Sequence, residues 1–531
     1  MPHRYLLASV LAAAVISLAF LWLTAVPLGI AGEWEWRRIE LGDGQTGDVL
    51  LGCVSAIVIA LGYVVVYCVG AVRLRLTGRV ETATWLTVAV VAGFFIQLAL
   101  QQAPPAEHGL SKTPLVLYDP GASGYFYLAR YEMQGARSFL SDYADRVSQP
   151  DEHGKQDVLH VGTHPPGLFL AYHWLIGVCR DLPTLSELLN ATQPEEVDDG
   201  FDLIDDYLRN GQPRIDASDR AAIWLVALLT QLCGAATIVP LYLLLRRSFP
   251  ARASWMAAAF WPLIPAVSMF SPKSDVIYPF LGMLFLYLWM SGWSRNSAHR
   301  CFASGLIFFF GATLSLAVLP YALLAAALTI WETRTRTDRG NVSHSLKETA
   351  VCLAFSVGAF MVAVGTCALA YDINLFEVWI WNYRNHAAFY DQFERTYWKW
   401  LLVNPIELAL AVGLPVMILA VTSFWKATTR RGCWSRASFG PYVSCAGVWV
   451  LLWLSGKNSG EVARLWIVLM PWLIWLVAEH FGTAEDNRGS AEPIDERHFV
   501  EFRMWLLLLC VQFLVALLTV TRVSGFHFGN P

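Results

Sequence analysis

Residues 49–79 read VLLGCVSAIVIALGYVVVYCVGAVRLRLTGR. The first 24 of them, 49–72, carry no charge. As a helix they would extend about 36 Å, more than the roughly 30 Å hydrocarbon core of a bilayer. Arg73, Arg75 and Arg79 follow at once, where a span that has just returned to the cytoplasm carries its positive charges. The stretch therefore predicts a membrane span anchored by an inner basic loop.

The rest of the chain repeats that pattern. Of 531 residues 56% are hydrophobic and 15% charged, with 23 tryptophans, more apolar surface than a protein in water can hide. Thirteen runs are long and apolar enough to be read as spans or near-spans, near 5–29, 49–72, 82–101, 220–245, 253–271, 276–293, 302–317, 319–332, 348–371, 400–424, 438–455, 464–481 and 502–522. The expected fold is an all-α integral membrane protein of about 13 transmembrane helices. The first run is too long for a signal-peptide core and is kept as a span. A net charge of −4 points to no nucleic-acid partner. Seven of the ten cysteines lie inside apolar runs and no C-x-x-C pair occurs, so they read as small buried hydrophobes.

Four further basic groups, Arg246/Arg247/Arg252, Arg295/Arg300, Arg334/Arg336/Arg339 and Lys426/Arg430/Arg431/Arg436, fall on the same side as the first when spans are counted between them. The N-terminus is then cytoplasmic and the C-terminus outside. This count requires the apolar run 166–179 not to cross, and 302–317 and 319–332, divided at Pro320, to cross separately. Five segments share the outer face: the long loop 102–219, the loops 271–275, 372–400 and 456–464, and the tail.

Those outer segments hold the unusual residues. In YDPGASGYFYLARYEMQG, 118–135, Asp119 is either a cap for a short interfacial helix or a general base at the membrane surface. In HVGTHPPG, 160–167, Pro165 and Pro166 fix the backbone and leave His164 at a helix entry. The histidine there either faces a polar cavity or is incidental. WNYRNHAAFYDQFERTYWKW, 381–400, resembles an interfacial aromatic belt, in which Arg384 and His386 are the unexpected members. Lys457, Glu461 and Arg464 in GKNSGEVARLW, 456–466, and more weakly Lys273 and Asp275 in SPKSDVIYP, 271–279, are charges at helix mouths that need a partner or a ligand.

Asp119-Pro120 with the tyrosines and Ala129-Arg130 behind it, HPPG opening an apolar helix, and a charged turn before RLWIVLMP (464–471) together resemble the polytopic GT-C glycosyltransferases. The likeness is strongest to the branch of protein O-mannosyltransferases, lipid A aminoarabinose transferases and related family 39 and family 83 proteins. It spans about residues 84–475. Two departures stand out: Asp119 is followed by proline where that branch has glutamate, and two spans precede the one leading into the first large loop.

The resemblance implies a polyprenyl-phosphate sugar donor, and a lipid, glycan or protein acceptor reacting through a hydroxyl or amine. It implies an inverting hexosyl or pentosyl transfer on the outer face of the inner membrane. Asp119 would be the base. His164, Pro165, Pro166 and Tyr125 would shape the site. Arg464 and Lys457 would hold the donor phosphate, with Arg384, His386 and Lys273 as further contacts. Some relatives bind a divalent metal near this loop. Glu152, His153, His160 and His164 carry suitable atoms, but their spacing matches no ligand signature, so no metal is assigned. The implied organisation is an N-terminal two-helix membrane segment (1–81), a GT-C-like catalytic region (82–481) and a linker with a last helix (482–531). A flippase for lipid-linked sugars, or a glycan ligase or polymerase, is the alternative. The lack of an internal repeat and the outer-loop position of the polar residues favour a transferase over a transporter.

Overall fold

The computed structural model describes residues 3–42, 44–74, 78–150, 155, 157–208, 211–337, 346–429, 439–481 and 496–526. Arg75, Arg339, Arg430, Arg431 and Arg436 of the basic clusters, and Glu152 and His153, lie outside them.

The protein is a multi-pass, all-α membrane protein whose one sheet among the described residues is a two-stranded hairpin. Among those residues eight helices are long and apolar enough to cross a bilayer: Arg4–Leu23, Thr46–Arg73, Arg79–Gln102, Ala217–Leu245, Ser274–Ser294, Leu316–Thr335, Lys347–Tyr371 and Phe502–Val520. A ninth span is counted if Tyr397–Val412 and Leu414–Thr429 are taken as one. The expected thirteen is therefore not reached, for local reasons. Run 253–271 holds Pro262 and Pro265 and breaks into helix Ala251–Ala258, a 3-10 turn at Trp261–Leu263 and helix Pro265–Met269, buried from 253 through 271. Prolines remove the amide donors a continuous helix needs. Run 464–481 is interrupted in the same way around Pro471. Run 400–424 turns by 113° at Gly413, whose φ of 89° suits glycine. Runs 302–317 and 438–455 form helices of 17 and 15 residues, Ala298–Leu314 and Gly440–Leu454. The division expected at Pro320 lies at extended Ser315 instead; Pro320 sits in the first turn of Leu319–Thr337, where proline is tolerated.

Thr46–Arg73 shows how a span is seated. Ala56, Ala60, Tyr63, Tyr67, Gly70 and Ala71 form one buried stripe at helical spacing, while Leu50, Leu51, Val58, Leu61 and Val65 face outward. A side chain at Gly70 would come within 2.2 Å of the Trp255 ring, and the Trp255 indole donates to Tyr67 O at 3.0 Å.

The first run does not continue to residue 29. Its helix ends at Leu23 and the chain forms a hairpin, β1 (Leu28–Ile30) antiparallel to β2 (Trp34–Trp36). The hairpin is fastened at two places. Glu33 accepts from Thr396 N (2.7 Å), Thr396 Oγ1 (2.6 Å), Lys399 Nζ (3.1 Å) and Trp400 Nε1 (2.8 Å), and these bonds outweigh burial and hold its carboxyl at about 2. Beyond β2, Ile39 N donates to Arg522 O (2.7 Å) and Ser524 N to Arg37 O (3.0 Å). The sequence-based division placed residues 1–81 apart from the catalytic region; the hairpin nonetheless packs into it.

Candidate active site

A cavity of about 440 Å³ lies where the hairpin, the loops and the residues after the last span meet. Asp119, His164, Lys273, His386 and Arg464 all line it, from four segments far apart in sequence, with Gly525 and Phe526 from the fifth. The five segments assigned to one face thus converge on one space.

Helix Lys112–Tyr118 ends at Asp119, whose carbonyl oxygen accepts from Ala122 N, Ser123 N and Gly124 N at 3.0 to 3.2 Å. Its Oδ1 accepts from Gly121 N at 3.1 Å. This is an Asx turn, not the N-cap of the helical segment that follows, Tyr125–Tyr127 running on as a π-helix through Glu132, because left-handed Gly124 occupies that position. Oδ2 makes no hydrogen bond among the described residues.

The HVGTHPPG segment forms one short turn, His160–Thr163, before helix Gly167–Asp181. That helix has 15 residues, below membrane length. Gly162 cannot be replaced without movement, since a Cβ there would lie 1.8 Å from Asp157 O. Gly167 is similar: a Cβ would lie 2.4 Å from Thr313 O. Two asparagines unnoticed in the sequence hold the turn. Asn382 Nδ2 donates to Gly162 O (2.8 Å) and His164 O (3.2 Å), and Asn385 Nδ2 to Gly162 O (2.9 Å) and Val147 O (2.8 Å). Both lie on the buried face of helix Leu375–Gln392, with Leu375 and Val378. Tyr125 is buried, its ring 6.1 and 5.8 Å from the His160 and His164 rings. Pro165 and Pro166 are buried at the turn.

The electrostatics are dominated by cations. Lys273 is 4% exposed and has no carboxylate within 4.0 Å among the described residues; burial, aided by Arg464, lowers it to about 7. Burial opposes the charge on Arg464, but Glu461, with which it forms an ion pair, together with Asp275, Tyr125 and Glu407 more than offsets this and raises the group. Arg464 Nε is buried without a hydrogen-bond partner. Glu461 itself is left-handed, φ 57°, in a turn where Gly456, Asn458 and Gly460 also have positive φ, a concentration of backbone strain of the kind found at binding sites. Burial, then Lys273, lowers His164 to about 3, and burial, then Lys457, lowers His386 to about 4. His160 is lowered too, chiefly by burial. All three are neutral near pH 7.

Two predicted contacts lie elsewhere. Arg384 is exposed, stacked 4.9 Å over Trp381, because it falls on the face of its helix opposite Asn382 and Asn385. Lys457 Nζ lies 4.2 Å over the Tyr383 ring, outside the cavity lining. Among residues the sequence reading did not single out, Glu33, Trp34 and Trp36 of the hairpin line the space, as does Arg395, whose Nη1 donates to Glu33 O at 2.8 Å. The alternation in GEWEWRR, 32–38, is the visible signal of the hairpin residues. Glu407, on the bent span, accepts through Oε1 from Trp36 Nε1 (2.7 Å) and Ala463 N (2.9 Å), tying the hairpin to the Arg464 turn.

No cluster of three or more His, Cys, Asp or Glu able to hold a metal occurs among the described residues. The rings of His160 and His164 lie 6.3 Å apart.

No family model matches the chain, and no curated protein matches it. Two solved structures share part of its shape. One is the Archaeoglobus fulgidus oligosaccharyltransferase in complex with Zn and sulfate, at 14% identity, covering 69% of this chain and 45% of that one, with a TM-score of 0.37. The other is the archaeal oligosaccharyltransferase AglB from Archaeoglobus fulgidus with an inhibitory peptide and a dolichol-phosphate, at 12% identity, covering 84% of this chain and 56% of that one, with a TM-score of 0.43. The chain spans about half the length of each.

Proposed function

We propose that the protein is a membrane glycosyltransferase of GT-C type that moves a hexosyl or pentosyl group from a polyprenyl-phosphate donor to an acceptor hydroxyl or amine on the outer face of the inner membrane. One observation carries the reading: Asp119, whose Oδ2 makes no hydrogen bond among the described residues, the buried Lys273, and the half-buried Arg464, whose Nε has no partner among them, line one cavity in a membrane protein.

Asp119 Oδ2 takes the acceptor proton as the acceptor attacks the anomeric carbon. The bond from that carbon to the phosphate oxygen breaks, and the configuration inverts. Charge gathers on the departing phosphate, where Arg464 donates through its planar fork and Lys273 supplies a point charge. Both act in a space from which water is largely excluded, so their effect is greater than in solvent. The histidines, neutral at working pH, position the reactants by hydrogen bonding, and no step requires them as acids.

The test is purified protein in proteoliposomes against a panel of polyprenyl-phosphate sugars, with release of polyprenyl phosphate as readout. Sugar-dependent release that Asp119→Asn abolishes supports the reading. Movement of intact donor across the bilayer without release would replace it with the flippase.

A further inference from the structure

Beyond the hairpin lies a larger chamber, about 1180 Å³, which shares Glu33, Trp34, Trp36 and Phe526 with the reaction cavity as a common wall. Arg38 and Arg522 face into it together. Arg38 Nε and Arg522 Nε donate to the same oxygen, Leu21 O, at 3.1 and 3.2 Å; Arg38 Nη2 reaches Phe20 O at 3.5 Å and Arg522 Nη1 reaches Ile39 O at 2.6 Å. Arg38 Nη1 and Arg522 Nη2 make no hydrogen bond among the described residues. No carboxylate of the described residues lies within 4.0 Å of either guanidinium, and Glu33 on the shared wall is committed to Thr396, Lys399 and Trp400.

Capping the helix that ends at Leu23 accounts for only part of this. A helix C-terminus presents about half a negative charge, against two full positive charges. Glu35 and Glu40 also line the chamber, as does Arg37, but no carboxylate of the described residues reaches either guanidinium, and burial together with Arg522 lowers Arg38. The chamber also sits at the ends of two spans, Arg4–Leu23 and Phe502–Val520, and its rim includes Leu23, 83% exposed, beside Trp22. An anionic head with an apolar tail fits both halves of that lining.

We propose that Arg38 and Arg522 form a second anion site, which holds the phosphate of a membrane lipid, and that this lipid carries the acceptor group toward the shared wall. The acceptor role rests on the transferase reading; the binding does not.

The experiment uses full-length protein in phosphatidylcholine nanodiscs, with phosphatidic acid as the probe, bound lipid counted by native mass spectrometry, and inorganic phosphate in a parallel arm. Wild type should retain phosphatidic acid over phosphatidylcholine, and Arg38→Gln or Arg522→Gln should weaken that retention about tenfold. Arg38→Lys and Arg522→Lys, which keep the charge, should retain most of it. Arg464→Gln should leave it unchanged, which separates this site from the donor phosphate. No preference for phosphatidic acid in wild type overturns the site without recourse to any variant. Equal retention in the glutamine variants reduces the arginines to helix caps. Binding of inorganic phosphate with no lipid preference overturns the lipid assignment. Lipid binding with no sugar transfer to any lipid overturns only the acceptor role.

Discussion

Asn382 Nδ2 donates to the carbonyl oxygen of Gly162 across 2.8 Å and 220 residues of sequence, and Asn385 Nδ2 donates to the same oxygen at 2.9 Å. Two side chains on one helix face therefore satisfy a single buried acceptor in the turn that presents His164.

That shared acceptor makes the pair non-additive. Asn382→Ala and Asn385→Ala should each cost about 1 kcal/mol, since Gly162 O keeps one partner. The double variant should cost more than the sum, because the oxygen is then left buried and unpaired. Denaturation of the three variants in detergent measures it; strict additivity would show that the carbonyl finds another donor.

Asp119→Asn should lower turnover by about 100-fold to 10,000-fold, the range of a lost general base, with donor binding intact. Asparagine preserves the Oδ1 bond from Gly121 N, so the turn survives. Turnover near wild type would move the base to Glu461, which lines the cavity with Arg464 beside it, since Glu33 is bonded to Thr396, Lys399 and Trp400.

Arg464→Ala should impair donor use more than Arg464→Lys, because a guanidinium can make two parallel bonds to phosphate and an ammonium keeps only the charge. Arg384→Ala should leave donor use unchanged and stability within about 0.5 kcal/mol, as for an exposed residue. A donor-binding titration on the three variants compares them directly, and a large loss in Arg384→Ala would mean that its helix is rotated when donor binds.

Lys273, lowered to about 7 by burial, is half-charged near neutrality before donor binds. The phosphate needs the charged form, so donor affinity should fall as pH rises through about 7, and a bound phosphate should lift the group and draw in a proton. Lys273→Arg should abolish that dependence between pH 6 and 9, because arginine stays charged throughout. A wild-type affinity flat over the same range would remove Lys273 from contact with the phosphate. The histidines contribute nothing there, since His164 at about 3 and His386 at about 4 remain neutral.

Local rules carried the reading wherever they were sufficient. The uncharged run 49–72 is a span because nothing within it interrupts the helix, whereas 253–271 is equally apolar and is broken by Pro262 and Pro265. Asp119, His164, Lys273, His386 and Arg464 stood out as polar groups where apolar ones were expected, and all line the cavity. Arg384 stood out for the same reason and does not, because its neighbours Asn382 and Asn385 take the inward face. The asparagines were not legible, and the alternation in GEWEWRR signalled the hairpin but not what it packs on: these roles exist only through contacts with chain hundreds of residues away, and no periodicity encodes a partner.

The ladder joining Ile39 and Arg37 to Arg522 and Ser524 pairs residues almost 500 positions apart. Synthesis runs from the N-terminus, so the hairpin emerges almost 500 residues before that edge finds its mate. The wall carrying Trp34, Trp36 and Phe526 is thus completed only after Phe502–Val520 has entered the bilayer. An arrested ribosome would leave every earlier span inserted and the site open on one side. Competence for chemistry in this architecture is consequently an event of late assembly.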